Sequence, residues 1–168
     1  MERDYIMTLL ELNETIVSQD LDALWKTESK IHSIVTASRE KNEFDSYRYD
    51  EYFHRIANCS GFYRWCTINL DNNVMLYSGS SEGVTMSIAT RQGSHRRAFE
   101  KPDTPKCDSS GPNLHKWMEK HDLQSVQFIV EYIDTTGMQP GLALMLEKRT
   151  TAEFKTILNY ENRGANNA

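Results

Sequence analysis

The sequence predicts an α+β protein: a small central antiparallel sheet of about three strands, flanked by helices, with a helical N-terminal extension. Three observations lead there. Apolar residues near the N-terminus recur at helical spacing, the middle of the chain turns to aromatic and β-branched runs broken by turn residues, and the last third mixes helical segments with one further strand-like run. With 168 residues, one domain is the default. The expected division is a helical extension over 1–57, a core over 58–160 and a polar tail over 161–168.

Taken in order, residues 4–17 place Tyr5, Ile6, Leu9, Leu10, Leu12, Ile16 and Val17 at near-helical spacing. Asp20 is a candidate N-cap for a second helix that carries Leu21, Leu24, Trp25, Ile31, Ile34 and Val35 along one side. The polar stretch 38–46 links it to a short helix over 48–57. Residues 61–68 (GFYRWCTI) predict a strand, Asp71-Asn72-Asn73 a turn, and 74–79 (VMLYSG) the returning strand of an antiparallel hairpin. A helix is expected over 84–98. Three prolines and a glycine make 100–112 a loop, and a loop of that length in a compact domain is often functional. A helix over 113–121, a strand over 124–133 and two helices over 141–149 and 151–158, breaking at Thr150 or Thr151, complete the core.

Composition narrows the class. Hydrophobic residues are 39% and charged residues 26%, ordinary for a globular protein. No apolar run reaches the roughly 18–20 residues of a membrane span, and the acidic N-terminal segment lacks the basic region of a secretory signal. Three cysteines, Cys59, Cys66 and Cys107, without CxxC spacing argue against a disulfide framework or a structural zinc site. A cytoplasmic protein is expected. The net charge of −5 is unevenly spread: residues 1–55 hold 12 acids and 7 Lys+Arg, whereas 86–120 hold seven Lys+Arg against four acids. A local basic face can bind phosphate on an acidic chain.

Several residues suit phosphodiester chemistry. Tyr63 and Tyr77 lie on the two hairpin strands. Arg91 and His95, four apart, share a helix face. Glu147 is a lone acid in an apolar segment, and Asn159 ends the last helix. A carboxylate can hold a divalent metal, which polarises phosphate and stabilises a leaving oxygen. Arginine neutralises charge on phosphoryl oxygens. A phenol, with a free pKa of about 10, needs help to act as a base. His95 is the natural acceptor of its proton.

Gly61-Phe62-Tyr63 and Tyr77-Ser78-Gly79, a hairpin apart, resemble the paired signatures of the GIY-YIG nuclease superfamily. The Arg91–His95 helix, the Leu114-His115-Lys116-Trp117 helix before a strand, and Glu147 followed by Ile157-Leu158-Asn159 resemble the elements that follow in that family. The resemblance covers about 60–160. Phe62 and Ser78 stand where the family has isoleucine, the interval from Gly79 to Arg91 is longer than in many members, with Arg96 or Arg97 as alternatives for the arginine, and Lys155-Thr156 replaces a common lysine-proline pair.

The compact chain with extra helices is most similar to the GIY-YIG type II restriction endonucleases. The resemblance implies a homodimer that cuts both strands of double-stranded DNA at a specific site, leaving 5′-phosphate ends. It implies Mg²⁺ (or Mn²⁺) on Glu147, catalytic roles for Tyr63, Tyr77, Arg91 (or Arg96 or Arg97), His95 and Glu147, and a geometry-fixing role for Asn159. The 99–112 loop and its flanks are expected to face DNA through Arg96, Arg97, Lys101, Lys106, Ser109, Ser110, Asn113 and Lys116. The alternatives are a loosely specific repair, recombination or mobile-element nuclease, and a catalytically degenerate DNA-binding or interaction protein on the same scaffold.

Overall fold

A computed structural model describes residues 20–48, 59–82, 87–103 and 108–159. They form an α+β fold around one antiparallel sheet of five strands: β1 (Lys30–Ser38), β2 (Glu43–Arg48), β3 (Gly61–Thr67), β4 (Met75–Ser81) and β5 (Ser125–Asp134), in the order β2-β1-β5-β3-β4. The helices are α1 (Leu21–Glu28), α2 (Ile88–Glu100), α3 (Ser110–Lys120) and α4 (Leu142–Phe154).

The sheet is larger than the three strands expected. The second predicted helix ends at Glu28, and the segment carrying Ile31, Ile34 and Val35 is strand β1. The presumed polar linker over 38–46 is a turn at 39–42 and the first part of β2, with Asn42 in the left-handed region at φ 50°. Ala37 opposite Phe44 and Val35 opposite Phe128 then extend the core across β1. The extension expected to be helical therefore supplies two strands. The predicted helix over 4–17 and the tail over 161–168 lie outside the described residues, as does the predicted helix over 48–57 except for Arg48, which ends β2.

The remaining elements follow from local chemistry. Asp20 caps α1 by accepting from the backbone N–H of Asp22. The β3–β4 turn is held by Asn73, whose Oδ1 accepts from Leu70 N–H at 3.0 Å and from the Thr67 hydroxyl at 3.3 Å. The expected break at Thr150 or Thr151 does not occur. Both hydroxyls bond back to carbonyls one turn earlier, Leu146 and Glu147, so α4 continues to Phe154. It stops where Lys155 adopts φ 51°, and a helical turn over 157–159 follows.

Strand β3 is covered on both faces. One face packs Tyr63 and Trp65 into a large core with Phe99, Leu114, Trp117 and Phe128. The other packs Phe62 against Trp25, Leu142 and Leu146. Trp25 meets Phe62 edge to face at 4.9 Å and donates its indole N–H to Thr150 at 3.3 Å, tying α1 to α4. No helix among the described residues is long and apolar enough to cross a membrane.

Candidate functional site

The site grows from the β3–β4 hairpin. Antiparallel register sets Tyr63 opposite Gly79 and Trp65 opposite Tyr77. The absence of a side chain at 79 matters here, because a Cβ there would run into the phenol of Tyr63. Tyr63 therefore lies over the β4 backbone, its ring 6.2 Å from that of Tyr77.

Helix α2 delivers the next two groups. Ser87 caps it by accepting from Thr90 N–H, and the 3.6-residue repeat turns Ile88, Gln92, His95 and Phe99 inward. Gln92 accepts from the Trp65 indole at 3.2 Å. His95 is fully buried, 2.6 Å from the Tyr63 hydroxyl through Nε2, and meets Tyr77 and Trp65 edge to face. Arg91, one turn earlier, is half-buried and interacts with both phenols.

Helix α3 supplies what the sequence analysis missed. Gly111 brings the backbone of α3 against Ala98 and Phe99 of α2, closer than any side chain would allow. That contact seats Asp108 and Ser110 beside His95. Nδ1 of His95 lies 2.7 Å from the Ser110 hydroxyl and 3.4 Å from Oδ2 of Asp108. Oδ2 also pairs with Nη2 of Arg91 at 3.2 Å, and Oδ1 accepts from Ser110 N–H at 2.9 Å. Ser110, expected to face DNA, is instead buried against the imidazole. An acid two residues before a serine in a proline-bounded loop is the only signal that pointed to Asp108.

Helix α4 completes the group. Glu82 caps its start by accepting from Gly141 and Ala143 N–H, both at 3.1 Å. Glu147 is half-buried and near enough to Tyr77 and Arg91 to interact with both electrostatically. Beyond the helix, Asn159 clasps the backbone of Ser78, accepting from its N–H at 2.9 Å and donating to its carbonyl at 3.0 Å. Asn159 thus holds the strand next to Tyr77 rather than facing the phenols.

The protonation states are pushed apart. Burial raises both phenols, with Arg91 acting against the rise. Burial lowers His95, which leaves it neutral near pH 7. Burial acts to raise Asp108, but its hydrogen bonds from His95 and Ser110 prevail and hold it well below the usual carboxylate range. Burial raises Glu147, opposed by Lys148 and Arg91. Such separation of neighbouring groups is a mark of functional sites.

Arg91 is the arginine the fold brings to the tyrosines. Arg96 and Arg97 are exposed, bonded to Glu100 and Ser94. Lys101, Ser109 and Lys116 are exposed and Asn113 is half-buried; Lys106 lies outside the described residues. Cys59 and Cys66 are free thiols pushed up to about 12 by burial. Among the described residues no three His, Cys, Asp or Glu cluster as a metal cage. A hard divalent cation there would have Glu147 as its single protein ligand, an arrangement that suits Mg²⁺, which keeps most of its waters. No family model, curated protein or solved structure matches the chain.

Proposed function

We propose that this protein is a site-specific, Mg²⁺-dependent endonuclease of double-stranded DNA, acting as a homodimer on the pattern of the GIY-YIG type II restriction enzymes. The observation that carries the reading is the convergence of Tyr63, Tyr77, Arg91, His95 and Glu147 on one place, from two strands and two helices. These are the residues on which the resemblance rests. Two departures from the family pattern also meet each other: Ser78 lies 2.5 Å from the Thr151 hydroxyl and 3.3 Å from that of Thr156.

Tyr63 receives a proton from the attacking water as its own phenol proton passes to Nε2 of His95. Arg91 neutralises charge developing on the phosphoryl oxygens. Its buried Nε has no partner among the described residues, a spare donor suited to an anion. Tyr77 orients the phosphate or the water. Glu147 would hold the cation, which would supply Lewis-acid polarisation of the phosphate. The exposed cations Arg96, Arg97, Lys101 and Lys116 are assigned to DNA contact.

The test is a digest of long mixed-sequence duplex DNA with Mg²⁺, and in parallel with a chelator. Discrete metal-dependent fragments are expected, and Glu147→Ala abolishes them while DNA binding by gel shift persists. A smear would favour a loosely specific nuclease. Intact DNA in every lane would favour a binding protein on the same scaffold.

A further inference from the structure

The Tyr63–His95 hydrogen bond has two possible senses. If Nε2 carries the hydrogen, the ring donates to the phenol and cannot take its proton. If Nδ1 carries it, Nε2 presents a lone pair 2.6 Å from the phenol oxygen. The far side of the ring decides between them. A serine hydroxyl has one hydrogen and two lone pairs, and an ionised carboxylate only accepts. Asp108 accepts from the backbone N–H of Ser110 through Oδ1 at 2.9 Å, and its Oδ2 lies 3.4 Å from Nδ1. A lone pair on Nδ1 would face the lone pairs of that carboxylate, whereas an Nδ1–H faces two acceptors, Oδ2 and the Ser110 oxygen at 2.7 Å, so Nδ1 carries the hydrogen. Arg91, 3.2 Å from Oδ2, keeps that carboxylate ionised and stops it turning. Trp65 and Tyr77, from the sheet, pack edge to face on the same ring.

We propose that Asp108 is a positioning residue that, together with Ser110, fixes His95 as the Nδ1–H tautomer, so that Nε2 is ready to take the phenol proton of Tyr63. The inference deepens the nuclease reading and rests on it for the reaction, but the tautomer itself belongs to the resting protein. In the reaction the water O–H breaks as the phenol oxygen gains that proton, and the phenol O–H breaks as Nε2 gains the other. The water oxygen bonds to phosphorus while the bond to the 3′ oxygen breaks and carries its electron pair away. The imidazolium so formed faces the Asp108 carboxylate and loses its proton to solvent, and the leaving oxygen takes one from solvent.

Long-range ¹H–¹⁵N NMR of the labelled full chain reads the tautomer directly, with His95→Gln identifying the signals. The wild type is expected to show a protonated Nδ1 and a bare Nε2. Asp108→Asn keeps an oxygen for Ser110 N–H but replaces the other by an amide donor. It should reverse His95 to the Nε2–H form. The kcat for cleavage should fall roughly 10³–10⁴-fold, the scale known for tautomer reversal beside a catalytic histidine, with KM little changed. A wild-type Nε2–H form overturns the proposal, as does an unchanged tautomer in Asp108→Asn. If that variant does not fold, the wild-type spectrum alone decides. If the wild type cleaves no DNA, the nuclease reading falls, while the proposed tautomer is still judged by the spectrum.

Discussion

Two buried polar clusters flank strand β4, and they are built from different materials. On one side Tyr63, His95, Ser110, Asp108 and Arg91 form a chain that ends in a carboxylate and a guanidinium. On the other, Ser78, Thr151, Thr156 and Asn159 bond only to one another and to backbone. Apart from Nε of Arg91, their buried polar atoms have partners among the described residues, so both can lie in the interior. Only the first holds titratable groups. The second has no charge to move, and its effect is adhesion: it locks the end of α4 to β4 and so holds Glu147 near Tyr77. The pair shows how one strand can separate chemistry from architecture, with alternate residues serving each.

The sharpest way to break the contrast is to remove the charged partner. Arg91→Ala is expected to lower the kcat of DNA cleavage by about 10²–10³-fold, the usual loss on deleting one transition-state donor. The KM measured alongside should change far less. The neutral cluster responds in stability instead. Asn159→Ala leaves the Ser78 N–H and carbonyl without their partner, and should destabilise by about 2–3 kcal/mol in urea unfolding. Ser78→Ala leaves Thr151 bonded to the Glu147 carbonyl and Thr156 to Asn159, so about 1 kcal/mol is expected.

Acid sharpens the comparison further. His95 has a folded pKa below its ordinary 6.5, so below that pH the unfolded chain binds the extra proton. Stability is therefore full above about 6.5 and falls as pH drops below it, by up to about 1.4 kcal/mol per pH unit for one proton. Asp108 adds a second loss at lower pH, below its ordinary 3.8, as acid approaches its depressed folded value. His95→Gln should flatten the unfolding curve between about pH 5 and 7, while Ser78→Ala shifts it evenly. Equal slopes in wild type and His95→Gln would show that the imidazole is not held neutral.

Much of this arrangement was legible in the chain. The hairpin announced itself through aromatic and β-branched runs on either side of Asp71-Asn72-Asn73, and the four-residue step from Arg91 to His95 put both on one helix face. Strand β1 did not. Its apolar Ile31, Ile34 and Val35 stand at helical intervals, while the positions it buries next to them are the polar His32 and Ser33, with a register shift between Ile31 and Ser33. The strand's period of two is hidden wherever polar residues fill interior positions. Asp108 was hidden for another reason. Its place beside His95 depends on α2 and α3 touching at Ala98 and Gly111, a tertiary contact with no local pattern. Ser110 looked like a surface donor for the same reason.

Gly79 contributes no functional group, yet the phenol of Tyr63 rests where its side chain would be. A side chain at 79 and the phenol at 63 compete for the same space. In a saturation library selected for activity, positions 63 and 79 should tolerate change as a pair or not at all, and a lineage that had abandoned the chemistry would show it first by filling position 79.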